Sequence, residues 1–131
     1  KSLSDEGIKL NVTAIFTEEQ TSSVIESLNI NTESIISIFA GRIANAGIDP
    51  EPTMREAVKL ASISDKYEIL WASSREVFNI FQAERCGCQI ITLTPSLIKS
   101  ALKEVGKDLT VFSRETVEMF YNDALSSGFK I

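Results

Sequence analysis

The chain has 131 residues, 44% of them hydrophobic and 24% charged, with a net charge of −5 and no histidine. One modest core fits that length, disorder does not fit that composition, and scattered Lys and Arg on an acidic chain argue against a nucleic-acid partner. Without histidine, His-based acid–base catalysis, a Ser-His-Asp triad and most zinc sites are excluded.

Residues 1–6 read as the closing turns of a helix with Gly7 as its cap, so the start of the chain reads as a truncation. The polar stretch Lys1 to Gly7 carries no signal-peptide core, and no apolar run approaches the roughly 20 residues that span a bilayer. A cytoplasmic protein with no membrane partner is expected. Apolar runs suited to buried parallel strands lie at Ile8–Phe16, Ser34–Ala40, Glu68–Ser73 and Gln89–Thr94. Thr17 and Gln20 have capping-box spacing at the start of the helix after the first strand. Thr53 and Glu56 repeat it, predicting a helix with Met54, Ala57, Val58 and Ala61 on its apolar face, after a stiff Asp49-Pro50-Glu51-Pro52 loop. Val77, Phe78, Ile80 and Phe81 are expected to form the buried side of the next helix. Cys86 and Cys88, one residue apart, seldom bridge and have no second pair to complete a metal site. They read as reduced and structural, with no metal and no cofactor expected. Pro95 suits a first helical position, followed by a stripe of Leu97, Ile98, Ala101, Leu102 and Val105. A last helix, Ser113 to about Ser126, is expected to bury Val117, Phe120, Tyr121, Ala124 and Leu125.

Strand and helix thus alternate, which predicts an α/β fold with a parallel sheet, either open or part of a barrel. No GxGxxG or Walker loop follows any strand, so a nucleotide fold loses its best support. In a parallel sheet, function gathers at the carboxyl ends of the strands. Alternation turns Asn11 and Thr13 one way and Leu10, Val12 and Ala14 the other. Ser37 and Phe39 share one face of the second strand, Ile36, Ile38 and Ala40 the opposite one. Trp71 and Ser73 are expected to share a face of the third, with Arg75 just beyond its end. Arg42 holds the equivalent place after the second strand, beside Gly41, which allows a tight turn. A lone arginine is usually a solvated surface charge. Two at equivalent positions, with Ser73 and the free N–H groups of a helix start, point to a phosphate.

Four segments resemble the transaldolase family. Asn11-Val12-Thr13-Ala14-Ile15-Phe16-Thr17 with Gln20 is similar to the stretch after the family's Schiff-base strand. Ser37-Ile38-Phe39-Ala40-Gly41-Arg42-Ile43 resembles its Ser-Pro-Phe-Val-Gly-Arg-Ile motif, and Ala72-Ser73-Ser74-Arg75 its Ala-Ser-x-Arg stretch. Ile91-Thr92-Leu93-Thr94-Pro95 is similar to the closing strand and turn. The resemblance implies a (βα)8 TIM barrel of the class I aldolase type, with residues 1–131 as the C-terminal half of that single domain. It implies a lysine on the fourth strand that forms a Schiff base with a ketose phosphate. A dihydroxyacetone unit stays on the enzyme until an aldose phosphate accepts it. Asn11 and Thr13 would be catalytic, Asn11 bonding the bound carbon skeleton and Thr13 helping to hold a water. Ser37 and Phe39 would line the sugar pocket, and Arg42, Ser73 and Arg75 would hold the phosphate.

Two departures matter. The motif's proline is Ile38 here, and none of the lysines present suits the Schiff base: Lys9 lies at the wrong end of its strand, and Lys59, Lys66, Lys99 and Lys103 read as helix surface. The lysine would therefore come from outside this chain. A fructose 6-phosphate aldolase-like lyase is the alternative enzyme; that group tends to carry Tyr at the position of Phe39 and lacks Asn at that of Asn11. An inert half-barrel, binding phosphate or serving assembly, is the non-enzyme alternative. The resemblance also implies a homo-oligomer formed through Ser113 to Ile131.

Overall fold

The structure, a computed structural model, describes residues 1–128. The chain divides into two compact units, Lys1–Lys99 and a second that starts at Ser100. The first opens with helix α1, Ser2–Asp5, which ends as its glycine predicts. Gly7 sits at φ +79°, and the Gly7 and Ile8 amides donate back to the Ser4 and Leu3 carbonyls at 3.0 and 3.1 Å. Strand β1, Leu10–Ile15, leads to helix α2, Glu18–Ser27, whose capping box is formed. Thr17 Oγ1 accepts from the Gln20 amide at 3.2 Å, and Gln20 Oε1 accepts from the Thr17 amide at 3.2 Å.

Strand β2, Ser34–Ile38, is followed by the short helix α3, Ala40–Asn45, and then by α4, Glu51–Ala61. The second expected box is not formed. Pro50 precedes the first turn and Pro52 lies within it, so α4 begins before Thr53 and leaves that residue no capping role. Asp49 Oδ1 instead accepts from the Glu51 amide at 3.0 Å. Strand β3, Tyr67–Trp71, precedes helix α5, Asn79–Cys86, which ends at Gly87 with φ +81°. The buried side of α5 is Asn79, Ala83 and Cys86 rather than the expected apolar run. Because α5 starts later than the periodicity suggested, Val77 and Phe78 fall in the preceding turn, and Phe78 is 52% exposed.

Strand β4 has two residues, Ile90–Ile91, where six were expected. The Gln89 side chain does part of the pairing: its Oε1 accepts from the Ile69 amide at 2.8 Å, while the Gln89 backbone N–H donates to the Ile69 carbonyl at 3.2 Å. Helix α6, Pro95–Glu104, starts at the expected proline, but Ile98 and Leu102 of its stripe are exposed. In the second unit, helix α7, Leu109–Ser126, begins four residues before Ser113 because Asp108 caps it, accepting from the Thr110 and Val111 amides. Val117, Phe120, Tyr121 and Leu125 are exposed, not buried; apolar side chains are spread around this helix instead of forming one stripe. Residues 129–131, the end of the expected assembly segment, lie outside the described residues. Among the described residues no helix is long and apolar enough to cross a membrane.

The four strands are parallel, in the order β1-β2-β3-β4. Val12, Ile36 and Ile69 lie side by side, as do Ile15, Ile38, Trp71 and Ile91. These rows face the helices, where Met54, Ala57 and Ala61 of α4, Ile43 of α3 and Ala83 and Cys86 of α5 close the core. Full burial of side chains such as Ile36, Ile38, Met54 and Ile69 contributes about 1.5–3 kcal/mol each. Trp71 belongs to this helix-side core, level with Ile38, while Ser37 is level with Leu70 on the other face. The expected pairing of Trp71 with Ser73 on one face fails because β3 ends at Trp71 and Ser73 turns to φ +64°, which breaks the alternation.

Candidate anion site at the carboxyl ends of the strands

Parallel strands bring the segments after β2 and β3 to the same rim of the sheet. Ile38 accepts from the Ala72 amide at 2.8 Å, and Ala72 accepts from the Gly41 amide at 3.3 Å. The first turn of α3 is thereby laced to the end of β3. Gly41 is needed for space rather than for a turn: a Cβ there would lie 1.7 Å from the Ser73 carbonyl oxygen and 3.2 Å from Cγ of Arg75. That contact sets Arg42, the next residue, beside the Ser73–Arg75 segment. Arg42 is exposed and stacks over the Phe39 ring, 5.3 Å from its centroid, and Phe39 in turn meets Phe16 at 5.7 Å. Arg55 and Arg85 are tied to Glu51, whereas Arg42 and Arg75 enter no ion pair among the described residues.

Arginines without an ion-pair partner, on segments packed together at one rim, are candidates to hold an anion. The backbone contributes less than the sequence suggested. The Arg75 and Glu76 amides donate to Asn79 Oδ1, at 2.8 and 3.1 Å, and the amides of Asn79 to Gln82 bond the carbonyls of Glu76, Val77 and Phe78. The expected free N–H groups at this helix start are therefore occupied, and anion binding falls to side chains. Ser73 itself is partly buried, and Ser74 beside it buries an Oγ that has no partner among the described residues.

The other predicted residues are placed as follows. Asn11 and Thr13 are exposed on the sheet face away from the helices, Asn11 level with Ile35. Between Val12 and Ile15 the register of β1 shifts, so that Thr13 and Ala14 together oppose Ser37, and Ala14 takes φ +65°. Ser37 is buried, 4% exposed. Gly41 thus packs the start of α3, next to Phe39 and Arg42, against the Ser73–Arg75 segment, while Asn11, Thr13 and Ser37 lie within the strands. A cleft of about 550 Å³ takes in Arg42 and none of the other predicted residues, and its lining includes the carboxylates Glu18 and Glu19 as well as Phe16, Thr17, Ile43 and Thr53.

Sequence reasoning missed three residues behind this group: Asn79, Gln82 and Glu51. Asn79 is the first helical residue and not the cap, so no capping pattern singles it out. The lysines considered against a Schiff base lie elsewhere. Lys9 pairs with Glu33 at 3.2 Å and Lys59 with Glu56 at 3.0 Å, while Lys66 sits in the turn before β3, not on a helix. Cys86 and Cys88 are free thiols. Burial, helped by Cys86, pushes Cys88 up to about 12, and burial also raises Cys86, so neither serves as a thiolate nucleophile near neutral pH.

The family model Transaldolase/Fructose-6-phosphate aldolase matches residues 1–129. The chain is 30% identical over 135 residues to a probable transaldolase of Ruegeria sp. (strain TM1040), covering 100% of this chain and 56% of that protein. It is 32% identical, with the same coverage, to probable transaldolases of Chelativorans sp. (strain BNC1) and Paracoccus denitrificans (strain Pd 1222). The chain thus spans about half the length of the curated relatives it matches. Parallel strands, their arginine-bearing ends and this match agree: the chain belongs to the transaldolase/fructose-6-phosphate aldolase family.

Proposed function

We propose that residues 1–131 form the C-terminal half of a (βα)8 barrel that moves a dihydroxyacetone unit between sugar phosphates. The lysine that forms the Schiff base belongs to a strand outside this chain. Its amine condenses with the ketose carbonyl and releases water. Cleavage of the bond between the carbons α and β to that imine, as the β-hydroxyl gives up its proton, frees an aldose phosphate and leaves a three-carbon enamine on the enzyme. The enamine carbon attacks the aldehyde of the acceptor, and water returns the lysine. Asn11 bonds the bound carbon skeleton and Thr13 holds the water. Ser37 and Phe39 line the sugar, and Arg42, Ser73 and Arg75 hold its phosphate.

The observation that supports this reading is the close approach at Gly41, which packs the segment carrying Arg42 against the Ser73–Arg75 segment, with neither arginine in an ion pair among the described residues. The test compares, in protein that includes the lysine-bearing half, transfer from fructose 6-phosphate to erythrose 4-phosphate with release of free dihydroxyacetone. Transfer should dominate. Dominant release favours the lyase alternative, and neither activity overturns the enzyme reading. The 131-residue chain by itself should form no borohydride-trapped adduct with fructose 6-phosphate.

A further inference from the structure

The segment that carries Arg75 is held by a line of directed hydrogen bonds running back to α4. Asn79, 5% exposed, accepts through Oδ1 from the amides of Arg75 and Glu76 at 2.8 and 3.1 Å. Its Nδ2 donates to Gln82 Oε1 at 2.8 Å, and Gln82 Nε2 donates to Glu51 Oε1 at 3.2 Å. Arg85 donates to the same carboxylate oxygen at 2.6 Å and Arg55 to the other at 3.0 Å. Arg55 also donates to the Arg85 carbonyl at 2.8 Å.

The direction of each bond is fixed by its neighbours. Two backbone N–H groups require an oxygen from Asn79, so its nitrogen faces Gln82. Gln82 must answer with oxygen, and its own nitrogen then faces the Glu51 carboxylate. Turning either amide would set donor against donor, at the full cost of unmet buried bonds. This is not ordinary helix capping, because the amides at the start of α5 are satisfied by the turn carbonyls of Glu76, Val77 and Phe78. The Asn79 acceptor is used upstream, on the arginine's own peptide group.

We infer that Asn79 is a positioning residue for the phosphate site, fixing the backbone of Arg75, with Gln82 and Glu51 holding Asn79 in turn. The inference rests on the anion-site reading above, and Asn79 itself need not touch substrate. With Asn79 removed, the Arg75–Glu76 backbone is free to turn away, and Arg75 must be ordered again each time an anion binds.

The experiment measures two quantities on the protein and its Arg75→Ala, Asn79→Ala and Asn79→Asp variants. These are the dissociation constant for inorganic phosphate and the exchange rates of the Arg75 and Glu76 amide hydrogens, taken well below thermal unfolding. Losing two hydrogen bonds predicts that Asn79→Ala weakens phosphate binding about tenfold and speeds both amides by about the same factor. Asn79→Asp keeps an oxygen acceptor for both amides but loses the donor to Gln82, so both should exchange faster than wild type and more slowly than in Asn79→Ala. Unchanged exchange in Asn79→Ala, or equal acceleration in both Asn79 variants, overturns the inference whatever phosphate does. Wild-type phosphate binding in Asn79→Ala alongside loss in Arg75→Ala also overturns it and leaves the anion site standing. Wild-type binding in Arg75→Ala removes the anion site, and this role of Asn79 with it.

Discussion

Gly41 is the residue on which the proposed site turns. With its would-be Cβ 1.7 Å from a backbone oxygen, no side-chain rearrangement admits alanine; α3 or the end of β3 must move. Gly41→Ala should destabilise the fold by about 3 kcal/mol, the upper end for overpacking, read from denaturant unfolding. Stability equal to wild type would mean that α3 and the end of β3 are not in tight contact. Glu51 is the second decisive residue. Hydrogen bonds from Arg85, then Gln82, hold its carboxyl below the ordinary carboxylate value, against a smaller opposing effect of burial. A carboxylate lowered in the folded state adds stability above its unfolded pKa, near 4.3, and loses it as pH falls through the lower folded value. Glu51→Gln should therefore unfold at a lower temperature than wild type at pH 7, with the gap closing below about pH 4. A gap of the same size at pH 3 would show that the charge contributes nothing. The sequence pointed to Gly41 through its neighbour Arg42, but for the wrong reason. A tight turn is a local property that a glycine suggests directly, whereas contact with Ser73, 32 positions away, exists only once the sheet is formed.

At the scale of elements, the two candidate capping boxes show what local pattern can and cannot decide. Thr17 and Gln20 cap α2 as their spacing predicts, because nothing upstream competes. The same spacing at Thr53 and Glu56 is overruled by Pro50 and Pro52, which start α4 earlier. The shift of register in β1 was not legible either: Ala14 at φ +65° carries no side-chain signal, and alanine is an unfavourable residue for that conformation. In α7, apolar periodicity predicted burial, yet Phe120 is 63% exposed and Val117 64%. In the homo-oligomer through Ser113 to Ile131 that the family resemblance implies, a second copy would cover part of that surface. Phe120→Asp should lower the mass measured by light scattering, since a buried charge without a partner disfavours the contact. An unchanged mass would count against assembly through this helix.

For the molecule as a whole, strand direction was readable because each βα unit records its own burial pattern: alternating or continuous apolar runs, then a 3.6-residue stripe; strand order was left open by that pattern. On β2, Ile36 and Ile38 face the helices, on the side alternation set opposite Ser37, whereas Ile69 and Trp71 of β3 face the helices and not the side expected for Trp71. What covers the open face and α7 was not readable, since a sequence specifies how much apolar surface exists but not which surface meets it. Bond polarity along Asn79, Gln82 and Glu51 was hidden for a similar reason, as α4 and α5 join only in the folded chain. The central claim is that Arg42 and Arg75 grip one phosphate, and its most direct test is a crystal structure of the protein soaked with fructose 6-phosphate. The account predicts a phosphate group about 2.7–2.9 Å from both guanidinium groups, with Ser73 Oγ as a third partner. A phosphate bound by one arginine alone, or lodged in the cleft beside Phe16 and Thr53, would contradict it.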